Sequence, residues 1–369
     1  MSENAHYLLI PFAAVSSEAA AKHLQDLKLP NLRQLLDILT LVDSDIDTEE
    51  SFSPPHERAL ARERGLPVVD GGIPWAAQRA AVLGLDHAKT LPWSFVTLCH
   101  SVVGNGNMTM EDPEQLQVSE AESRQLIADM TPYFAEDGLT LHYLEPKLWL
   151  CRGEPMRDVR TASFDRVIGK DLSDWQPAGG ESTKLRRLQN EMQMLLYTHT
   201  VNDARSRVNA AVINSVYFHG NGELDGELSS GSGKVSTNIT THIEASINMP
   251  SGLADAALKE DWPAWVTAWE QLDATLCADL LKRAQAGEAV ILTLCGERST
   301  LRYELRQKSA FERLKNKFKG VLGFQPAALV TPDAGPRPGK RGHHRKPITR
   351  RPEFNKSRTK GKGSFSIQT

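Results

Sequence analysis

Residues 6–13 (HYLLIPFA) form a short run that stays apolar without alternating. A strand with one wet face alternates polar and apolar side chains. An unbroken run fits a strand buried on both faces, as in a parallel sheet. Such a sheet needs helices over it, and the following sequence offers them. Residues 16–28 and 30–40 read as helices, and residues 43–51 as an acidic loop. Ser53-Pro54-Pro55 is expected to cap a helix that Gly65 stops. Residues 73–83, rich in alanine around Trp75, read as another helix.

The middle of the chain changes character. Residues 93–103 and 107–110 read as strands around Gly104-Asn105-Gly106, a hairpin signal. Ser119 and Glu122 stand in capping-box spacing before a helix over 119–134. Residues 139–144 and 147–151 read as strands around Glu145-Pro146. Leu185, Leu188, Met192, Leu195 and Leu196 make one apolar helix face, and residues 211–219 a strand. Residues 221–251 read as a long Gly- and Ser-rich loop with room for one short strand.

Further on, Trp262, Trp265, Trp269, Leu272, Leu276 and Leu280 repeat at helical spacing. That stripe reads as buried core rather than a stacking platform. Residues 289–294 and 301–305 read as strands and 311–321 as a basic helix. The expected class is α/β, a mixed sheet with flanking helices. No internal repeat is visible.

The chain has 369 residues, 40% hydrophobic and 24% charged, enough for about two domains or one large core. No window approaches the ~18 uninterrupted apolar residues of a membrane helix. The start lacks the basic segment of a secretory signal. The four cysteines (Cys99, Cys151, Cys277, Cys295) show no CxxC spacing, so neither zinc site nor disulfide framework is encoded locally. A cytoplasmic location is expected.

Charge is unevenly spread. Residues 337–369 carry 11 Lys+Arg against one acid, Glu353, while residues 1–336 carry 32 against 45. The tail is poor in aliphatics and is expected to be disordered. Two readings of it stay open: weak nucleic-acid contact through phosphates, or a solubilising tail that masks the acidic body.

No P-loop, GxGxxG, HExxH or GxSxG motif occurs. Three places concentrate polar chemistry. His56, Glu57 and Arg58 read either as an acid/base cluster or as an ordinary helix N-terminus. His100, after Cys99, reads as a ligand contact or a structural histidine. The richest place runs from Tyr197 to Gly222 and contains His199, Asn202, Arg205 and Asn214. It reads as an anion pocket, which a guanidinium suits, or as a hydrogen-bonded knot that fixes a turn.

These segments carry a resemblance. LLIPFA near the start, SPPHERALAR at 53–62, IPWAAQRAA at 73–81 and MTMEDPEQLQVSEAES at 108–123 resemble the RpfE-type regulatory proteins of proteobacteria. FDRVIGKDLSDWQP at 164–177 and LQNEMQMLLYTHTVNDAR at 188–205 extend the likeness. More distantly, the chain resembles archaeal-type cofactor-independent phosphoglycerate mutases, of alkaline-phosphatase-like fold. That likeness rests on His199-Thr200-Val201-Asn202, Arg205, Asn214 and Gly220-Asn221-Gly222, and on residues 290–300. It implies a serine nucleophile beside two divalent metals.

The expected ligands depart from that pattern. The first strand runs into Pro11-Phe12-Ala13-Ala14, and Glu297-Arg298 stand where an Asp-His metal pair belongs. An arginine in a cation site opposes metal binding. The resemblance therefore implies a mutase-like body over 1–325, with an inserted subdomain at about 90–222, and a basic disordered tail over 326–369. It points to a regulatory pseudoenzyme that binds a protein partner or small anion, with no metal or cofactor expected. An active mutase or phosphatase, and a nucleic-acid-associated protein, are the alternatives.

Overall fold

The computed structural model describes residues 5–24, 27–104, 107–224 and 247–305, all within the compact unit Met1–Ala334. The expected basic helix at 311–321 and the basic tail lie outside the described residues. The chain opens with β1 (His6–Ile10), α1 (Glu18–Leu24), α2 (Pro30–Ile38), β2 (Thr40–Ile46), α3 (Pro55–Glu63) and α4 (Trp75–Val82). The middle supplies β3 (Trp93–Cys99), β4 (Ser101–Val103), β5 (Met108–Met110), α5 (Glu120–Glu136), β6 (Thr140–Glu145) and β7 (Leu148–Arg152). It continues with α6 (Phe164–Val167), α7 (Ser182–Tyr197), α8 (Thr200–Arg207) and β8 (Ser215–Gly222). The last part holds β9 (Ile247–Asn248), α9 (Gly252–Leu258), α10 (Trp262–Leu272), α11 (Ala278–Gln285), β10 (Val290–Cys295) and β11 (Ser299–Glu304).

The first sheet has the order β2-β11-β10-β1-β9. β1 runs parallel to both β10 and β9, whereas β11 runs antiparallel to β10 and β2. The sheet is therefore mixed. Successive side chains of a strand face opposite ways, and here both faces are covered. Leu8 and Ile10 join Leu292 and Leu294 under α1, α2, α9, α10 and α11, where the tryptophan stripe lies. Tyr7, Leu9 and Cys295 turn to the other face, against Ala59 and Leu60 of α3 and the ring of Trp75. This double burial is why β1 reads as an unbroken apolar run.

The second sheet, β6-β7-β3-β8, is antiparallel throughout. One face packs Val96, Leu98, Trp149, Val216 and Phe218 on α5 and α7. Its other face meets Ala76, Ala77 and Ala80 of α4 through Trp93 and Leu150. A separate group, Cys99 and Tyr217 with Ala162 and Val167, continues that face. α3, α4 and the segment around residues 161–167 thus form a layer shared by the two sheets.

Several local expectations need correction. Residues 40–46 of the expected helix end and acidic loop form β2, whose acids face α3 arginines across the sheet edge: Asp45 bridges Arg58 (3.3 Å) and Arg62 (2.6 Å). Ser53 does not cap α3; that helix starts behind Pro54, and the Ser53 hydroxyl accepts from Gly71 N (2.8 Å). The strand expected at 211–219 starts at Ser215 and reaches Gly222, because the preceding residues are held in a knot described below. The tryptophan stripe does not run on as one α-helix. A π-helical turn, Asp273–Cys277, separates α10 from α11.

That turn has a structural purpose. Leu29, the residue before α2, offers no side-chain cap. The buried carboxylate of Asp273 replaces it, accepting from Leu32 N (2.7 Å) and from Asn31 N (3.2 Å) and Nδ2 (3.1 Å). Orphan N–H groups at a helix start need such acceptors.

Candidate functional site

The sequence-derived ligand candidates are bonded to the fold itself. Asn202 is buried, donates to Leu196 O (2.8 Å) and Ile213 O (2.6 Å), and accepts from Ile213 N (2.8 Å). Arg205 donates to Ala211 O (2.6 Å), Glu122 (2.9 Å) and Leu116 O. His199 caps α8 through Nδ1 and meets Asp129 through Nε2 (3.0 Å). Asn214 exchanges two bonds with the Ser101 backbone, and His100 Nδ1 pairs with Val212 O (2.7 Å). These five residues tie α7, α8 and the approach to β8 to α5 and β4. The structure thus places them in a hydrogen-bond knot.

Glu297 and Arg298 follow β10, beside the residues that follow β1. Glu297 accepts from the Ser16 hydroxyl, and Arg298 lies near Glu49 (3.7 Å). Among the described residues, no group of three or more His, Cys, Asp or Glu side chains is placed to hold a metal ion. Among the described residues, Glu297, bonded to Ser16, and the cationic Arg298 do not fit the metal pair that a mutase resemblance implies.

A different cluster forms in the layer between the sheets. α3 packs against β1, β10 and β11, with its first residue at their edge: Thr300 Oγ1 donates to Pro55 O (3.4 Å), and Phe12, just past β1, rests its ring 5.8 Å from that of His56. The carboxyl ends of parallel strands are where open α/β sheets present ligand sites. His56 and Arg58 are buried there.

The segment from Thr161 to Arg166 crosses this helix start. His56 Nε2 lies 3.0 Å from Asp165. Ser163 Oγ donates to Glu57 Oε1 (2.5 Å), and Trp75 Nε1 to Glu57 Oε2 (3.3 Å). Burial pushes the Glu57 carboxyl above its usual range; nearby Asp165 adds to this, while His56, Ser163 and Trp75 oppose it.

β8 supplies the wall. Phe95 pairs with His219 and Trp93 with Gly222, so Gly220 and Asn221 oppose only Ser94. Gly220 takes the left-handed conformation (φ +60°) that such a bulge demands, and a Cβ there would stand 2.9 Å from the Phe95 ring. The neighbouring His219 ring sits edge-on to Phe164 (4.3 Å) and bonds Thr97 Oγ1 (3.0 Å). Burial pushes its pKa down to about 3, so it is neutral at physiological pH. Tyr217, whose hydroxyl burial pushes up instead, donates to Ala162 O (3.0 Å).

The two arginines define the chemistry. Arg58 donates through Nη1 to Ser51 (3.2 Å) and Ser53 O (2.5 Å), and also meets Asp45 and Asp47. Its Nη2 is buried without a partner. Arg166 has both Nε and Nη2 buried without partners. Burial and the like charge of Arg58 disfavour the Arg166 cation, while Asp165, Glu57 and Asp70 favour it. A guanidinium stays charged in proteins, so both cations are held in the fold against this cost. Buried polar groups are otherwise nearly always satisfied.

The same geometry limits other chemistry. Nucleophilic catalysis needs a hydroxyl bound to its base, with that base oriented by a third group. Here Ser163 binds Glu57 while His56 binds Asp165, so hydroxyl and imidazole have separate partners. Sequence reasoning picked out His56, Glu57 and Arg58 but missed Ser163, Asp165, Arg166, Trp75 and His219. The signal for Asp165 and Arg166 was the stretch at 164–177 that carries the resemblance, but it has no motif spacing that assigns them a role.

The chain matches no family model and no curated relative. Two solved structures are distantly similar to it. The cofactor-independent phosphoglycerate mutase from Thermoplasma acidophilum is 12% identical, with 88% of this chain and 98% of that one covered at a TM-score of 0.37. The PH0037 protein from Pyrococcus horikoshii is 11% identical, with 82% and 87% covered at 0.38. Likeness of this degree says nothing about activity. No helix among the described residues is long and apolar enough to cross a membrane.

Proposed function

We propose that this protein is a metal-free regulatory pseudoenzyme of mutase-like ancestry that binds a small anion at the start of α3. One observation carries the reading: three guanidinium nitrogens, Arg58 Nη2 and Arg166 Nε and Nη2, are buried without acceptors, and the two cations are near enough for their like charges to interact. A phosphate or carboxylate supplies the acceptors, and guanidinium N–H groups suit both. The helix N-terminus adds a favourable partial charge. The resemblance of residues 53–62, 73–81 and 108–123 to RpfE-type regulators motivates a role in regulation, and the cation Arg298, where the likeness to mutases would place a metal ligand, favours binding over phosphoryl transfer.

Calorimetric titration with inorganic phosphate and with a three-carbon phosphorylated acid tests this. Saturable binding is expected, weakened at least about tenfold in Arg166→Gln, which loses a charge-assisted hydrogen bond. Mutase turnover is expected to stay at background with Mn²⁺ or Mg²⁺. Absence of anion binding, or robust metal-dependent turnover, overturns the proposal.

A further inference from the structure

Carboxyls already crowd the guanidiniums at the start of α3. Asp45 and Asp47 meet Arg58, and Arg62 shares Asp45. Asp165, Glu57 and Asp70 are near enough to favour the Arg166 cation. Carboxyls thus outnumber guanidiniums in this layer. An anion that docks on Arg166 adds one more negative group, and a like charge disfavours ionised carboxyls. The excess is removed when one carboxyl takes up a proton.

The hydrogen bonds single out which carboxyl. Asp45 and Asp47 are held by guanidiniums, and Asp165 by the His56 imidazole (3.0 Å). Asp70 accepts from Ser53 N (2.8 Å), a group that can only donate and so favours the carboxylate. Glu57 differs. Its oxygens accept from two neutral side chains, Ser163 Oγ (2.5 Å) and Trp75 Nε1 (3.3 Å). A hydroxyl can donate or accept, so the Ser163 bond survives protonation by reversing. The titratable and charged groups facing Glu57 are His56 on its own helix, Asp165 and Arg166 on the crossing segment, and Tyr217 on β8. Burial, with Asp165 adding to it, already favours the protonated carboxyl, and His56 opposes. We infer, on the anion-site reading above, that binding is proton-coupled: an anion arriving at Arg166 is accompanied by a proton from solvent, which forms an O–H bond at Glu57 Oε1 and reverses the Ser163 hydrogen bond. The site then holds its ligand more tightly as pH falls.

Titration calorimetry of the full chain with sulfate, in buffers of different ionisation enthalpy from about pH 5 to 8, tests the coupling. Sulfate keeps its charge over that range, so any proton exchanged belongs to the protein. Net proton uptake on binding is expected, with Kd rising up to about tenfold per pH unit above the range in which Glu57 is protonated. In Glu57→Gln the uptake is expected to vanish and Kd to vary less than about twofold over the same range. An infrared difference spectrum of the parent chain, sulfate-bound minus free, is expected to gain a protonated-carboxyl band, which a titrating imidazole does not give. Sulfate binding without proton uptake, or uptake that persists in the variant or comes without that band, overturns the coupling and leaves the anion site standing. No sulfate binding at any pH overturns both.

Discussion

Glu57 shows how a single side chain reports on its surroundings. Burial makes it hold its proton to higher pH than an ordinary glutamate, against the opposing hydrogen bonds from Ser163 and Trp75. The fold therefore favours the protonated form. The stability this contributes is complete below the ordinary glutamate range and is lost as pH rises through the raised value. Glu57→Gln imitates the protonated carboxyl and is expected to remove that loss. The difference in urea unfolding free energy between variant and parent should move in the variant's favour as pH rises from about 4 to 8; a constant difference would contradict the account. His219 has the opposite sign. With its pKa pushed down to about 3, it contributes stability that is present above the ordinary histidine range and is lost as pH falls towards that value. Its ring proton resonances are expected to keep their neutral positions down to about pH 4.

At the scale of elements, two buried acceptor groups join segments that local sequence would leave loose. Asp273 caps α2 from a π-helical turn some 240 residues away. Asp273→Ala is expected to cost about 2–3 kcal/mol in chemical denaturation, a lost cap plus orphaned N–H groups. Asn202 joins the end of α7 to the entry of β8. Asn202→Ala leaves Ile213 N without its acceptor and is expected to cost about 2 kcal/mol. Some element ends were open to reading. The Ser119–Glu122 capping box is formed as spaced, and the Trp262–Trp265–Trp269 stripe is buried. β2 was hidden because its alternating acids, Asp43 and Asp45, resemble a solvated loop until the α3 arginines and β11 are in place.

The whole molecule joins its two sheets through one shared layer, in which Trp75 packs on the first sheet while the alanines after it pack on the second. Unfolding is therefore expected to be a single event. The fluorescence lost in Trp269→Phe, in the first sheet's helical layer, and in Trp149→Phe, in the second sheet, should report coincident urea transitions. Separate midpoints would show that the shared layer does not couple the sheets. The anion site proposed above lies in the same layer, so a ligand bound there would bridge segments from both sheets.

The sequence by itself determined the α/β class, the buried first strand and most helices, because hydrophobic period and capping act over a few residues. Tertiary structure alone decided what the polar residues do. Glu57 and Ser163 are 106 positions apart, and no local pattern links them. His199, Asn202 and Arg205 looked open to a ligand in the sequence, yet their donors are taken by backbone carbonyls and carboxylates brought in from α5 and the approach to β8. Whether a polar group serves the fold or a ligand depends on which partners close around it, and packing sets those partners.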